Sequence, residues 1–207
     1  MVNSYYKQGR PGTLPTIYLR EYVAKALQKV QNSLQEGYSL IIFDGFRSRQ
    51  TQLSLFEEFR DNFSKKYPHH SQTKILDLTR EFVAHPDEPS RFKIAPHNSG
   101  GAVDVSISYN GLNLDMGTDF DDLSNLAQTT YFEGPNESCP DISQDRWDQI
   151  KKNRRLLYNS MIKQGFVNYS GEWWHYDLGD AIWAQEVGSA WEYDSMEKEV
   201  VANERNV

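Results

Sequence analysis

The chain has 207 residues, enough to bury a sizeable core, and by length it is expected to form one domain with an elaborate surface. Charged residues make up 25% and hydrophobic ones 38%, the balance of a globular protein rather than a disordered chain. With 22 basic against 29 acidic residues the net charge is −7, which argues against nucleic acid or an anionic membrane as the main partner.

Residues 1–16 read as an N-terminal arm, because Pro11, Gly12 and Pro15 limit regular structure. The opening residues lack the apolar core of a signal peptide, and no later segment approaches 18 consecutive apolar residues, so the expectation is a cytoplasmic protein without membrane insertion. From Tyr18 the spacing of Leu19, Tyr22, Val23, Ala26, Leu27, Val30 and Leu34 predicts a helix that Gly37 ends. YSLIIF at 38–43 is a short, β-branched run bounded by Asp44-Gly45, and predicts a buried strand. Ser48 then caps a second helix with Leu53, Phe56, Phe59 and Phe63 inward. Pro68 and the adjacent His69 and His70 close it as an exposed turn. A short helical piece around 72–84 leads into a loop carrying His85, Pro86, Pro89 and Pro96.

Strand character returns at 102–108, with Val103, Val105 and Ile107 on one face and Asp104 and Ser106 on the other. The apolar face anchors in a core while Asp104 points to a cleft. Asn110-Gly111 reads as a tight hairpin turn. The acidic run at 115–122 lacks the ligand pattern of an EF-hand, and reads as a structural or substrate-facing loop. An excursion over 123–144 holds Cys139, the only cysteine, which excludes an intrachain disulfide and a thiolate metal cluster and fits a reducing compartment. A third helix follows, with Trp147, Ile150, Leu157 and Met161 inward and the cluster Lys151, Lys152, Arg154 and Arg155 assigned to a solvated face. After Gly165, FVNYS and WWHYDL read as strands, and about 192–207 as a polar tail.

Two segments carry the chemistry. HNSGGAVD at 97–104 sets an imidazole and a carboxylate seven positions apart, and GEWWH at 171–175 adds Glu172 and His175. His97, Asp104 and His175 are suited in type and number to a catalytic zinc, with a fourth position left for water and Glu172 near enough to take its proton. In an ideal strand residues 172 and 175 face opposite sides, so a shared site requires Glu172 at an irregular strand entrance, which Gly171 permits. His85 is the nearest competing ligand, without a supporting spacing.

DGFRSRQTQ at 44–52, HNSGGAVD at 97–104, DMGTDFD at 115–121 and GEWWH at 171–175, in this order, resemble the zinc D-alanyl-D-alanine dipeptidases, relatives of the D,D-carboxypeptidases. The resemblance implies that His97, Asp104 and His175 bind one Zn2+ ion, that Glu172 is the catalytic base, and that Arg47 steadies negative charge during peptide-bond cleavage. It also implies a small α+β fold of the D,D-peptidase/hedgehog-like kind, with an antiparallel sheet carrying the metal and helices beside it. Family members commonly have serine two positions before the first zinc histidine; here that position is Ala95, and Ser99 cannot take the role by position. The function implied is hydrolysis of a short D,D-dipeptide, in diverting a cell-wall precursor or in wall turnover. A D,D-carboxypeptidase acting on longer wall peptides, and a non-catalytic zinc-stabilised binding module, remain as alternatives.

Overall fold

The computed structural model describes residues 3–88, 93–136, 139, 141–190 and 192–204, with side chains as far as residue 200. It is an α+β structure built on a five-stranded sheet. Strands β1 (Tyr38–Asp44), β2 (Ala102–Tyr109), β5 (His175–Asp177) and β4 (Val167–Asn168) lie side by side in that order, and the short β3 (Leu112–Asn113) also pairs with β2. Each of these pairings is antiparallel. Strand β2 is the centre of the fold. Val103, Val105 and Ile107 are fully buried among Val23, Leu27 and Val30 of helix α2 (Glu21–Ser33) and Leu157 and Met161 of helix α6 (Gln144–Ile162). Each such side chain contributes about 1.5–3 kcal/mol relative to exposure.

The helices differ from expectation in informative ways. Helix α2 begins at Glu21 rather than Tyr18, and Tyr22, expected inward, is 62% exposed. Helix α3 (Arg49–Lys66) starts where Ser48 accepts from the Thr51 amide at 3.1 Å, as the cap predicts, but Leu55 rather than Leu53 fills the core beside Phe56, Phe59 and Phe63. Helix α4 (Gln72–Phe82) packs on α3 through Ile75. His85 stacks edge-on against Phe56, with ring centroids 4.7 Å apart, and takes the Asp87 amide on Nδ1, away from the candidate metal ligands.

Arg154 overturns its assignment to a solvated face. It is 4% exposed, and its guanidinium donates to the carbonyls of Met116, Gln128 and Leu126 at 2.7–2.8 Å, so it staples the loop between β3 and the two 3-10 turns, Asn125–Ala127 and Tyr131–Glu133. The arm is also built in. Asn3 caps a one-turn helix, α1 (Ser4–Lys7), and Tyr5 is 1% exposed beneath the cleft. At the other end, helix α8 (Glu197–Glu204) follows Met196, and Met196 and Val200 bury against Phe46.

Candidate active site

Asp104 is placed by register. It pairs with Asp44 across β1 and with His175 across β5, while a bulge between Ile42 and Asp44 turns the end of β1 toward the cleft. His97 comes from one turn of helix, α5 (Pro96–Ser99), where a loop was expected. Pro96 at its first turn suits the fixed φ of proline, and Gly100 ends it with φ 74°, a conformation costly for other residues. Glu172 sits in the irregular turn before β5, as a shared site requires, and Asn168 holds that turn by donating to the carbonyls of Glu172 and His175.

The structure brings the predicted residues together. Donor atoms of His97, Asp104 and His175 all lie within 4.8 Å of one another, and all three residues are buried. His97 Nε2 is 3.3 Å from Asp104 Oδ2, and His175 Nδ1 is 3.1 Å from Asp104 Oδ1. The opposite nitrogens set the tautomers: His97 Nδ1 donates to the Gly45 carbonyl at 2.8 Å, and His175 Nε2 donates to Asp177 Oδ1 at 2.9 Å. That leaves His97 Nε2 and His175 Nδ1 as lone-pair faces only 3.2 Å apart, beside a carboxylate. Two acceptors cannot bond each other, so the arrangement calls for a proton or a metal ion between them.

The electrostatics agree. Burial works against charge on His175, yet the carboxylates of Asp177 and Asp104 raise its pKa well above the ordinary value, so the pocket draws positive charge. Burial also opposes the ionised Asp104, but the two imidazoles hold its carboxyl well below the usual range. The donor set therefore fits a first-row divalent ion, with His85 outside it.

Glu172 is half-buried, with Oε2 3.8 Å from His175 Nδ1. Burial pushes its carboxyl up to about 7, against the lowering pull of His175. Arg47 is held cationic: burial disfavours the charge, but Tyr5, Asp44 and Asp104 outweigh it. Its Nε donates to Asp44 at 2.9 Å, Nη1 to Gln52 at 3.2 Å, and Nη2 to Tyr5 at 3.2 Å and to Asp104 at 3.3 Å. One Nη1 hydrogen is left uncommitted among the described residues.

Sequence reasoning missed two residues of the cleft. The Tyr5 hydroxyl links Arg47 to Asp121, donating to Oδ1 at 3.0 Å, and burial pushes Asp121 up to about 7. Asp121 stood in a loop already read as structural or substrate-facing; Tyr5 had no signal beyond its place after the Asn3 cap. Ala95 lines the cleft without replacing a serine hydroxyl, and Ser99 turns away, donating to the Pro96 carbonyl and accepting from the Gly101 amide. The cavity has a volume of about 630 Å3 and is lined by the candidate ligands, with Phe59, Phe82 and Leu123 among its apolar walls.

Known proteins resemble this chain across most of its length. A D-alanyl-D-alanine dipeptidase from Synechocystis is 33% identical over 100 residues, covering 48% of this chain but only 38% of its own length. D-alanyl-D-alanine dipeptidases of Enterococcus faecalis and Escherichia coli are 27% and 28% identical, covering 76% and 77% of this chain and 71% and 63% of their own lengths. A crystal structure of a variant of the vancomycin-resistance D,D-pentapeptidase VanY, in complex with Zn(II), shares the fold, with a TM-score of 0.50 at 16% identity over 82% of this chain and 77% of that one. The family model described as D-ala-D-ala dipeptidase matches residues 12–191, and the chain belongs to that family.

Proposed function

We propose that this protein is a zinc metallopeptidase that hydrolyses a short D,D-dipeptide, D-alanyl-D-alanine, to two molecules of D-alanine. The observation that carries the reading is the convergence of two buried imidazoles and one carboxylate, with the Glu172 carboxylate 3.8 Å from His175. His97 Nε2, Asp104 and His175 Nδ1 would hold the ion. When bound, zinc supplies Lewis acidity that polarises a carbonyl and makes water a stronger nucleophile at neutral pH.

The remaining work falls to the chain's own residues. Glu172, with a carboxyl near neutrality, takes a proton from the attacking water and passes it to the departing amine as the C–N bond breaks. Arg47 sets positive charge beside the carbonyl oxygen as that oxygen becomes anionic, while its bond to Asp104 holds the carboxylate in register. Asp121, across the Tyr5 hydroxyl from Arg47, offers a carboxylate to the free amino group of a dipeptide. The single thiol of Cys139 supports a reducing, cytoplasmic setting.

A second reading, D,D-carboxypeptidase action on longer wall peptides, is favoured by one observation: a cavity of about 630 Å3 is roomy for so small a dipeptide. Turnover of free D-Ala-D-Ala set against that of a pentapeptide ending in D-Ala-D-Ala separates the two. The expected result is faster cleavage of the dipeptide, lost on chelation and restored by zinc. Dominant pentapeptide cleavage overturns the dipeptidase reading, and zinc binding without hydrolysis of either compound leaves the binding module.

A further inference from the structure

The family match ends at residue 191, yet the chain beyond it returns to the site. Met196 donates its amide to the Asn98 carbonyl at 2.9 Å, and Ser195 Oγ donates to Asn98 Oδ1 at 2.6 Å. The Asn98 carboxamide divides its two hydrogens between the Arg47 carbonyl, at 3.1 Å, and Glu197 Oε2, at 2.6 Å. The same Glu197 oxygen accepts the Arg49 amide at 3.1 Å, at the start of α3, where negative charge is favoured. Asn98 directly follows His97, and Arg47 donates its amide to the His97 carbonyl at 3.2 Å. One carboxylate therefore ties together the two segments that present His97 and Arg47.

Neighbouring contacts hold the segment in place. Arg20 donates from Nε to the Ser99 carbonyl, from Nη1 to Glu199 and from Nη2 to the Asp194 carbonyl, at 2.8–2.9 Å. Met196 is 5% exposed and covers Gly100, where any Cβ would meet its sulfur at 2.6 Å. These contacts surround a one-turn helix and converge on Asn98, the residue after a candidate ligand.

We propose that residues 194–200 form a positioning clasp, in which Glu197, acting through Asn98, sets the placement of His97 and Arg47 and thereby the affinity of the site for a divalent metal. The proposal rests on the assignment of His97 as a metal ligand. Ligand geometry tolerates displacements of only about 0.5 Å, and removal of an outer partner of a metal ligand typically costs about 10–100-fold in metal affinity or activity.

The test compares Glu197→Ala with Glu197→Gln in the full-length protein. A carboxamide oxygen can still accept from Asn98 and Arg49, so the glutamine variant separates the hydrogen bonds from the charge. Competition with a chromophoric chelator reads zinc affinity, and amide exchange in the metal-free protein reads the order of residues 45–49 and 96–100. Glu197→Ala is expected to bind zinc about tenfold more weakly and to lose kcat more than KM, with faster exchange confined to those two segments. Glu197→Gln is expected to stay within about twofold of the parent in both affinity and turnover. Unchanged zinc affinity and exchange in Glu197→Ala overturn the clasp, as does a glutamine variant as impaired as the alanine one. A merely structural role would lower the melting temperature while sparing zinc affinity, and that outcome overturns it too. Zinc affinity and amide exchange need no substrate, so a parent protein that binds zinc but cleaves no D,D-dipeptide refutes the dipeptidase reading while the clasp is still judged on those two.

Discussion

His97 Nε2 and His175 Nδ1 face each other at 3.2 Å, each with its proton held on the far side of the ring by Gly45 and Asp177. Either a proton, which the raised pKa of His175 favours, or a metal ion must lie between the two nitrogens, and the adjoining Asp104 carboxylate makes the third donor. Replacing His97, Asp104 or His175 with alanine is therefore expected to lower metal affinity itself. Metal content after dialysis against a buffered zinc supply should fall from near one equivalent to well below it. Undiminished affinity in His175→Ala would sink the ligand set.

Glu172 should behave differently from the ligands. Glu172→Gln keeps the size and the turn that Asn168 secures, but removes the proton acceptor. The variant is expected to retain zinc at parental stoichiometry while kcat falls by about two to four orders of magnitude. Paired metal analysis and steady-state turnover decide the matter, and parental turnover would end the general-base assignment.

How much of this was legible beforehand depended on sequence distance. The alternation of β2 gave both the buried face and the direction of Asp104, because period two is a local property. His97 and Asp104 were linked by spacing, although the turn of helix between them was not foreseen. By contrast, the bonds from Tyr5 to Asp121 and from Asn98 to Glu197 join residues 116 and 99 positions apart, and no local pattern announces them. Arg154 was legible and was misread. Residues 147, 150, 154, 157 and 161 are spaced by three and four, so Arg154 lies on the inward stripe, and its basic neighbours drew it to the wrong face.

Arg154 supplies a stability prediction. Burial pushes its guanidinium down to about 10, so it remains cationic at neutral pH, with three carbonyls as its partners and the rings of Phe132 and Trp173 at 4.6 and 5.8 Å. Arg154→Met keeps much of the stem's packing but strands those carbonyls in a dry region. The expected loss is about 2–4 kcal/mol in urea unfolding at neutral pH. A change under about 0.5 kcal/mol would mean that water replaces the guanidinium without penalty.

The last prediction concerns Asp180, which caps helix α7 (Ala181–Val187) by accepting the Trp183 amide at 3.0 Å. Asp177 and Asp180 are fully buried, and the Oδ2 atom of each lacks a hydrogen-bond partner among the described residues. Burial, and then the Asp177 carboxylate, push Asp180 up to about 9, so at neutral pH it keeps its proton. The folded state thus binds this proton more tightly than the unfolded chain, whose ordinary value is 3.8. The stability that the proton confers is fully present below about pH 4 and is lost progressively as pH rises toward about 9. Asp180→Asn carries a permanent donor in place of the proton and keeps an oxygen for Trp183. Its melting temperature should match the parent near pH 4 and exceed it near pH 8.5, the gap widening steadily between. Parallel curves for the two proteins would show that the pair does not hold the proton.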